Sequence, residues 1–285
     1  MSPLSSFSSL LSHSERNEQK RQALAPAISG LDASDVAMGP QSIYGSRKAS
    51  LVLDIIVVGC GIGGLSVAFC LTQASHRVTI LESSPVLGEI GAGVQISPNS
   101  SRLLRRWGLG KHLDEVGVKP QGMSFRRYNT GELIGSIDWG DTLEGEYGAP
   151  SYYMHRADLH KLLYDLVFPH ATIQLGSTVV ECDPDPVSPS VTLESGEIIQ
   201  ADLVIGADGV GSYIRQVVTG KPSSAKLTGD AVYRAIVPAS LMVQDPELRE
   251  LIERPHMTGW TGPGRWMVGY PIVRSSLFKV PTQIY

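Results

Sequence analysis

The chain has 285 residues, 42% apolar and 18% charged, and its 24 lysines and arginines against 28 acidic residues leave a net charge of −4. That composition suits a globular protein with one large core or two moderate ones, and its charge balance excludes a protein that grips nucleic acid electrostatically. Cys60, Cys70 and Cys182 stand far apart and no Cys/His spacing fits a zinc site, which predicts no disulfide framework, no metal and a reducing, cytoplasmic setting.

Residues 1–50 read as a disordered, serine-rich extension: seven of the first fourteen residues are serine, and Pro26, Gly30, Gly39, Pro40 and Gly45 interrupt the remainder of the segment. The segment has neither the basic start and apolar stretch of a secretion signal nor the arginines of a transit peptide. From Leu53 the texture changes. Leu-Asp-Ile-Ile-Val-Val-Gly predicts a strand, a glycine cluster comes next, 65–74 predicts a helix, and Arg-Val-Thr-Ile-Leu-Glu predicts a second strand, together a βαβ unit. A helix is expected over 98–107, where Leu103, Leu104 and Trp107 recur at helical spacing and Gly108 ends the pattern. The stretch 121–150 holds six glycines and reads as turns with short β pieces around Phe125 and Ile134. A third helix is expected over 157–168. Strands near Thr172 and Val191 flank a proline-broken loop at 183–189, and 202–206 is a short apolar strand. Residues 231–237 and 266–273 read as antiparallel strands of one sheet.

Gly59, Gly61 and Gly64 spell G-x-G-x-x-G, a pattern that 30 glycines produce by chance often enough that context must decide. The cluster follows an apolar strand and opens a helix, and Glu82 closes the next strand eighteen residues after Gly64. Gly59 allows the tight turn, Gly61 lets the backbone approach a pyrophosphate, and Gly64 lets helix and strand pack closely. The helix end then offers unpaired N–H groups and the positive end of its dipole, and Glu82 accepts hydrogen bonds from ribose hydroxyls. These features predict dinucleotide binding. Two plainer readings compete. One is a glycine turn that only packs tightly. The other is a membrane helix over the uncharged run 55–71, which four glycines in six residues and the β-like strand after it oppose.

Further along, Ala-Asp-Leu-Val-Ile-Gly-Ala-Asp-Gly-Val-Gly-Ser-Tyr-Ile-Arg at 201–215 resembles the D-G motif of flavin-dependent aromatic hydroxylases, with Asp208, Gly209, Ser212 and Arg215 in the expected places. Gly-Glu-Ile-Gly-Ala-Gly-Val-Gln-Ile-Ser-Pro-Asn at 88–99 resembles the segment that passes the flavin ring in salicylate hydroxylase-like members, which implies a cofactor contact at Gly93. His155-Arg156-Ala157-Asp158-Leu159 resembles the box whose arginine reaches the FAD. Residues 232–238 and 268–271 look like strands of the family's substrate-covering sheet. Beside each likeness stands a plainer alternative: an ion pair of Arg156 with Asp158 or Asp165, and a capping role for Asp208 on the helix after Gly211. Tyr233 and Arg234 face opposite sides of one strand, so only one can meet a cavity; Tyr233 is the choice for a substrate or flavin contact, with packing as its alternative. His155 and His160 read as structural, since no carboxylate completes a ligand set.

The resemblance implies an α/β fold, a Rossmann-like FAD-binding βαβ domain with an incomplete antiparallel β-sheet substrate domain. FAD binding falls to 51–120 and 151–220, and substrate binding to 121–150 and 221–285. It also implies FAD held by Gly59, Gly61, Gly64, Glu82, Gly93, Arg156 and Asp208, NADH or NADPH as a transient co-substrate, and hydroxylation of a small aromatic molecule with O2. Arg215 and Tyr233 are the candidate catalytic pair. The family's third fingerprint, G-D-A-x-H-P, is missing: Gly229-Asp230-Ala231 continues Val-Tyr-Arg and precedes a strand. The sequence therefore reads as the first two thirds of the family pattern, stopping early, with weak FAD binding or poor folding as the expectation. A truncated nucleotide-binding remnant without activity, and another flavoenzyme such as an epoxidase or oxidase, remain as alternatives. No membrane or nucleic-acid partner is expected, and the oligomeric state stays open.

Overall fold

The computed structural model describes residues 48–88, 93–222, 226–272 and 277–284, so the serine-rich extension lies outside the described residues except for 48–50. The predicted βαβ unit is present as β1 (Asp54–Val58), α1 (Ile62–Gln73) and β2 (Arg77–Glu82). All of β1 after Asp54 is buried, as a strand covered on both faces requires. The apolar run 55–71 is thereby divided between a strand and a helix. Among the described residues no helix is long and apolar enough to cross a membrane.

Next come β3 (Gly93–Ile96), α2 (Pro98–Leu104), α3 (Gly110–Val116), β4 (Gly122–Arg127), β5 (Leu133–Asp138) and α4 (Thr142–Tyr147). They are followed by β6 (Tyr152–His155), α5 (Arg156–Val167), β7 (Thr172–Leu175), β8 (Val179–Asp183), β9 (Ser190–Leu193), β10 (Ile198–Gln200) and β11 (Leu203–Gly206). The chain closes with α6 (Tyr213–Thr219), β12 (Ala231–Pro238), α7 (Ala239–Met242), α8 (Pro246–Glu253), β13 (His256–Gly262), β14 (Arg265–Ile272) and β15 (Leu277–Ile284).

The fold is α/β. A parallel sheet runs in the order β11-β1-β2-β7. On one of its faces Ile55, Val57 and Ile80 pack with Leu65 and Phe69 of α1 and with Leu162, Leu163 and Leu166 of α5. On the other, Ile56, Val58 and Leu81 pack with Val191, Leu193 and Ile214 from the β10-β9-β8 sheet and α6. A second, six-stranded sheet has the order β12-β15-β14-β13-β4-β5. Its pairs are antiparallel except β13 with β4.

The ribbon β3-β6 joins the two bodies. Val118 and Tyr153 exchange backbone hydrogen bonds at 2.8 Å, the Tyr153 and Tyr270 rings lie 4.8 Å apart, and Gln95 Nε2 donates to Met257 Sδ at 3.1 Å. Gly108, with φ of +92°, breaks the helical backbone as its place in the pattern predicts, and α3 begins after it at Gly110. The strands read at 231–237 and 266–273 lie in one sheet, with β15 between them and antiparallel to both.

Candidate functional site

The fingerprint loop leaves β1 at Gly59, whose φ is +106° and where a Cβ would lie 2.4 Å from the Ala207 carbonyl oxygen of the crossing chain. Only glycine fits there. At Gly64 a Cβ would lie 1.9 Å from the Gly59 oxygen, so its absence lets α1 lie against the end of β1. Gly61 is different. Its φ of −73° suits any residue, and nothing stands within 4 Å of where its Cβ would be. The first turn of α1 has no capping side chain and no acid. Its leading N–H groups lack intrahelical acceptors and favour an anion.

Glu82, at the end of β2, turns towards this loop. Its Oε2 accepts from Cys60 N at 2.8 Å and its Oε1 from Ser84 N at 2.9 Å, which leaves lone pairs for a ribose hydroxyl. A cavity of about 400 Å³ brings together Gly59, Gly61, Glu82, Ser177, Asp208 and Tyr213. Open space over Gly61, an uncapped helix end and a carboxylate acceptor fit the adenosine diphosphate half of FAD.

Asp208 has both of the roles considered for it within reach. Its Oδ2 accepts from Tyr213 N at 2.7 Å and Ile214 N at 3.0 Å, and Ser212 Oγ donates to its Oδ1, so it caps α6 while lining the cavity. Arg215 serves the same turn: its Nη2 donates to the Val210 carbonyl at 2.8 Å, and its backbone N–H to Ser212 Oγ at 2.9 Å.

Gly93 and Arg156 sit together rather than in this cavity. Gly93 opens β3 opposite His155, the N-cap of α5, and Arg156 is the first residue of that helix. Asp165, one of the plain partners considered for Arg156, pairs with Lys161 at 2.6 Å. Residues 89–92 of the flavin-ring segment lie outside the described residues.

Tyr233 is 65% exposed on β12, on the face that carries Val237 and, across β15, Met267. It shares neither an element nor a face with Arg215. The opposite face of β12 carries Arg234 and Ile236. Through β15 that face is continuous with Tyr270, and it packs with Met257, Val118 and Tyr153 against the β3-β6 ribbon. Burial pushes the Tyr270 phenol up to about 12, against the pull of the Arg234 charge, and burial raises Tyr153 as well. Sequence reasoning weighed Arg234 and preferred Tyr233, and it did not single out Tyr153 or Tyr270 as site residues. The strand alternation held the signal, but the choice of inner face depends on a register set by β14 and β15. The same reasoning read His160 as structural; that side chain, one helical turn after Arg156, is buried and reaches the fingerprint loop at Cys60.

Residues 52–275 match the family model described as an FAD binding domain. The chain is 38% identical over 218 residues to the 3-amino-4-hydroxybenzoate 2-monooxygenase of Streptomyces cremeus, covering 76% of this chain and 53% of that one. It is 40% identical over 239 residues to the FAD-dependent monooxygenase cfoG of Aspergillus candidus, covering 79% and 54%. It is 32% identical over 229 residues to the 3-hydroxybenzoate 6-hydroxylase 1 of Aquipseudomonas alcaligenes, covering 80% and 56%. Among solved structures, Klebsiella pneumoniae HpxO with FAD and uric acid superposes with a TM-score of 0.69 at 23% identity, covering 81% of this chain and 56% of that one. CtdE with FAD and a substrate superposes at 0.73 and 22% identity, covering 81% and 57%. The chain spans about half the length of the curated relatives it matches.

Proposed function

The chain belongs to the FAD-binding-domain family, and on that premise we propose that it serves an FAD-dependent monooxygenase that uses NADH or NADPH and O2 to hydroxylate a small phenolic acid or related aromatic molecule. The observation that carries the cofactor assignment is the open space over Gly61 at the uncapped start of α1, beside the Glu82 carboxylate. Gly59, Gly61 and Gly64 hold the diphosphate loop, Glu82 takes the ribose, and Asp208 fixes the turn that borders the diphosphate. Gly93 and Arg156 approach the cofactor from the β3-β6 ribbon. When bound, FAD supplies hydride acceptance from reduced nicotinamide and activation of O2.

The chain's own residues then orient the substrate and exclude water. Residues 51–120 and 151–220 are assigned to the cofactor body, and 121–150 and 221–285 to the substrate sheet, supported by the pairing of β4 with β13. The substrate contact moves from Tyr233 to Arg234. Its guanidinium, exposed on the face of β12 that continues to Tyr270, suits a carboxylate or phenolate. The names of the Streptomyces and Aquipseudomonas relatives, which specify hydroxybenzoates, support that class. Arg215 keeps the Asp208 turn in shape.

The test is gel filtration of the chain with FAD, followed by NADH and NADPH oxidation with a panel of hydroxybenzoates under ¹⁸O2. The expected result is retained flavin and a hydroxylated product carrying one labelled oxygen. Absence of flavin overturns the cofactor assignment. Flavin without substrate-stimulated turnover supports the non-catalytic alternative, and product without label points to an oxidase.

A further inference from the structure

The fingerprint loop is flanked by glycines on both sides of Cys60, so its backbone can adopt more than one orientation at little cost. Something outside the loop must select one. Three contacts do so. Gly59 N–H donates to the Leu81 carbonyl at 2.8 Å and Cys60 N–H donates to Glu82 Oε2 at 2.8 Å, both at the end of β2. The third comes from α5, where His160 Nε2 lies 2.7 Å from the Cys60 carbonyl oxygen.

A carbonyl only accepts, so the imidazole must carry its proton on Nε2 and donate it. Burial, with 7% of the residue exposed, favours the neutral ring, which makes this the Nε2–H tautomer. The Cys60 carbonyl belongs to the same peptide unit as the Gly61 N–H, and in a trans peptide the two point in opposite directions. Holding the carbonyl down onto His160 therefore turns the Gly61 N–H away from that side chain, at a residue that lines the cavity. Resting on the FAD assignment above, we propose that His160 is a positioning residue for cofactor binding, holding the Cys60 carbonyl so that the Gly61 N–H is presented to the FAD diphosphate. The helix that begins at Arg156 thus acts on the cofactor twice, one turn apart.

The test compares the chain with His160→Leu, which fills the space without a donor, and His160→Gln, whose side-chain amide can donate from a similar place. FAD and ADP affinities are measured by flavin fluorescence and competition, adenosine serves as the ligand without a diphosphate, and circular dichroism monitors folding. Leu is expected to weaken FAD and ADP binding roughly tenfold, the equivalent of about one hydrogen bond, with adenosine unchanged and Gln restoring most of the loss. Should Leu fail to fold, His160→Met carries the same comparison. Unchanged FAD affinity in Leu, an equal loss in Gln, or an equal loss for adenosine overturns the proposal in favour of simple packing. A wild-type chain that binds neither FAD nor ADP overturns the cofactor assignment itself, and this role with it.

Discussion

The three glycines of the fingerprint separate what the fold needs from what a ligand needs. Gly64 carries a packing demand, because a methyl group there meets backbone 1.9 Å away. Gly64→Ala is expected to lower stability by roughly 1–3 kcal/mol, and FAD binding with it. Gly61 meets nothing and has an ordinary φ, so Gly61→Ala should leave the apo chain as stable as before, or more stable by about 0.5 kcal/mol. It should nonetheless weaken FAD binding at least about tenfold, since the methyl occupies the space over the diphosphate. Urea unfolding beside a flavin fluorescence titration checks both; equal affinity in Gly61→Ala and wild type sinks the cradle. Residue types at these positions were legible because the glycines, the acid at Glu82 and the strand-helix context each state a steric or chemical need locally. Tyr233 and Arg234 were not. Alternation says that they oppose one another, while the face each one takes is set by pairing with β15, where Thr282 and Pro281 lie opposite them.

At the scale of single elements, α6 owes its start to Asp208, which also lines the cavity, and α5 is tied to the fingerprint loop through His160. Asp208 accepts two of the first N–H groups of α6, and Ser212 accepts a third. Asp208→Ala is therefore expected to cost about 1–2 kcal/mol of stability, and Asp208→Asn, which keeps one acceptor oxygen, visibly less. Denaturant midpoints at constant slope check the difference. For α5 the lever is pH. Burial, first among the causes, and the nearby Arg156 charge lower the His160 value from the usual 6.5, against the Cys60 hydrogen bond and the Glu82 charge. Below 6.5 the unfolded chain binds this proton more readily than the folded one, so stability falls as pH drops from 6.5 towards the folded value. His160→Gln should flatten that part of a stability-pH profile; an unchanged slope assigns it to another group. Most elements were legible from period and punctuation. Gly108 reads as a stop and breaks the helix through its positive φ, whereas Pro281 is an exception, arguing against a strand where β15 nevertheless pairs on both sides. In an antiparallel strand successive N–H groups alternate between neighbours, so one proline costs one rung on one side only.

For the whole molecule the question is whether the parallel sheet and the six-stranded sheet unfold together. Tyr153 belongs to the ribbon that precedes α5, and Tyr270 to the centre of the second sheet, and their ring contact joins the Val118 bridge and the Gln95–Met257 contact as the connection between bodies. A buried tyrosine reduced to alanine loses a few kcal/mol, and here much of that loss falls on the junction. FAD bound at about one hundred times its Kd stabilises the state that binds it by about 2.7 kcal/mol. In a chain of this size that corresponds to a rise in Tm of roughly 5–10 °C. If the junction couples the bodies, calorimetry of the wild-type chain shows one transition that FAD moves as a unit. Tyr270→Ala should split it, with FAD raising only the transition of the parallel sheet and leaving the other in place. A single FAD-responsive transition in Tyr270→Ala means that the coupling runs through the remaining bridge contacts, and two transitions in the wild type mean that the sheets fold independently.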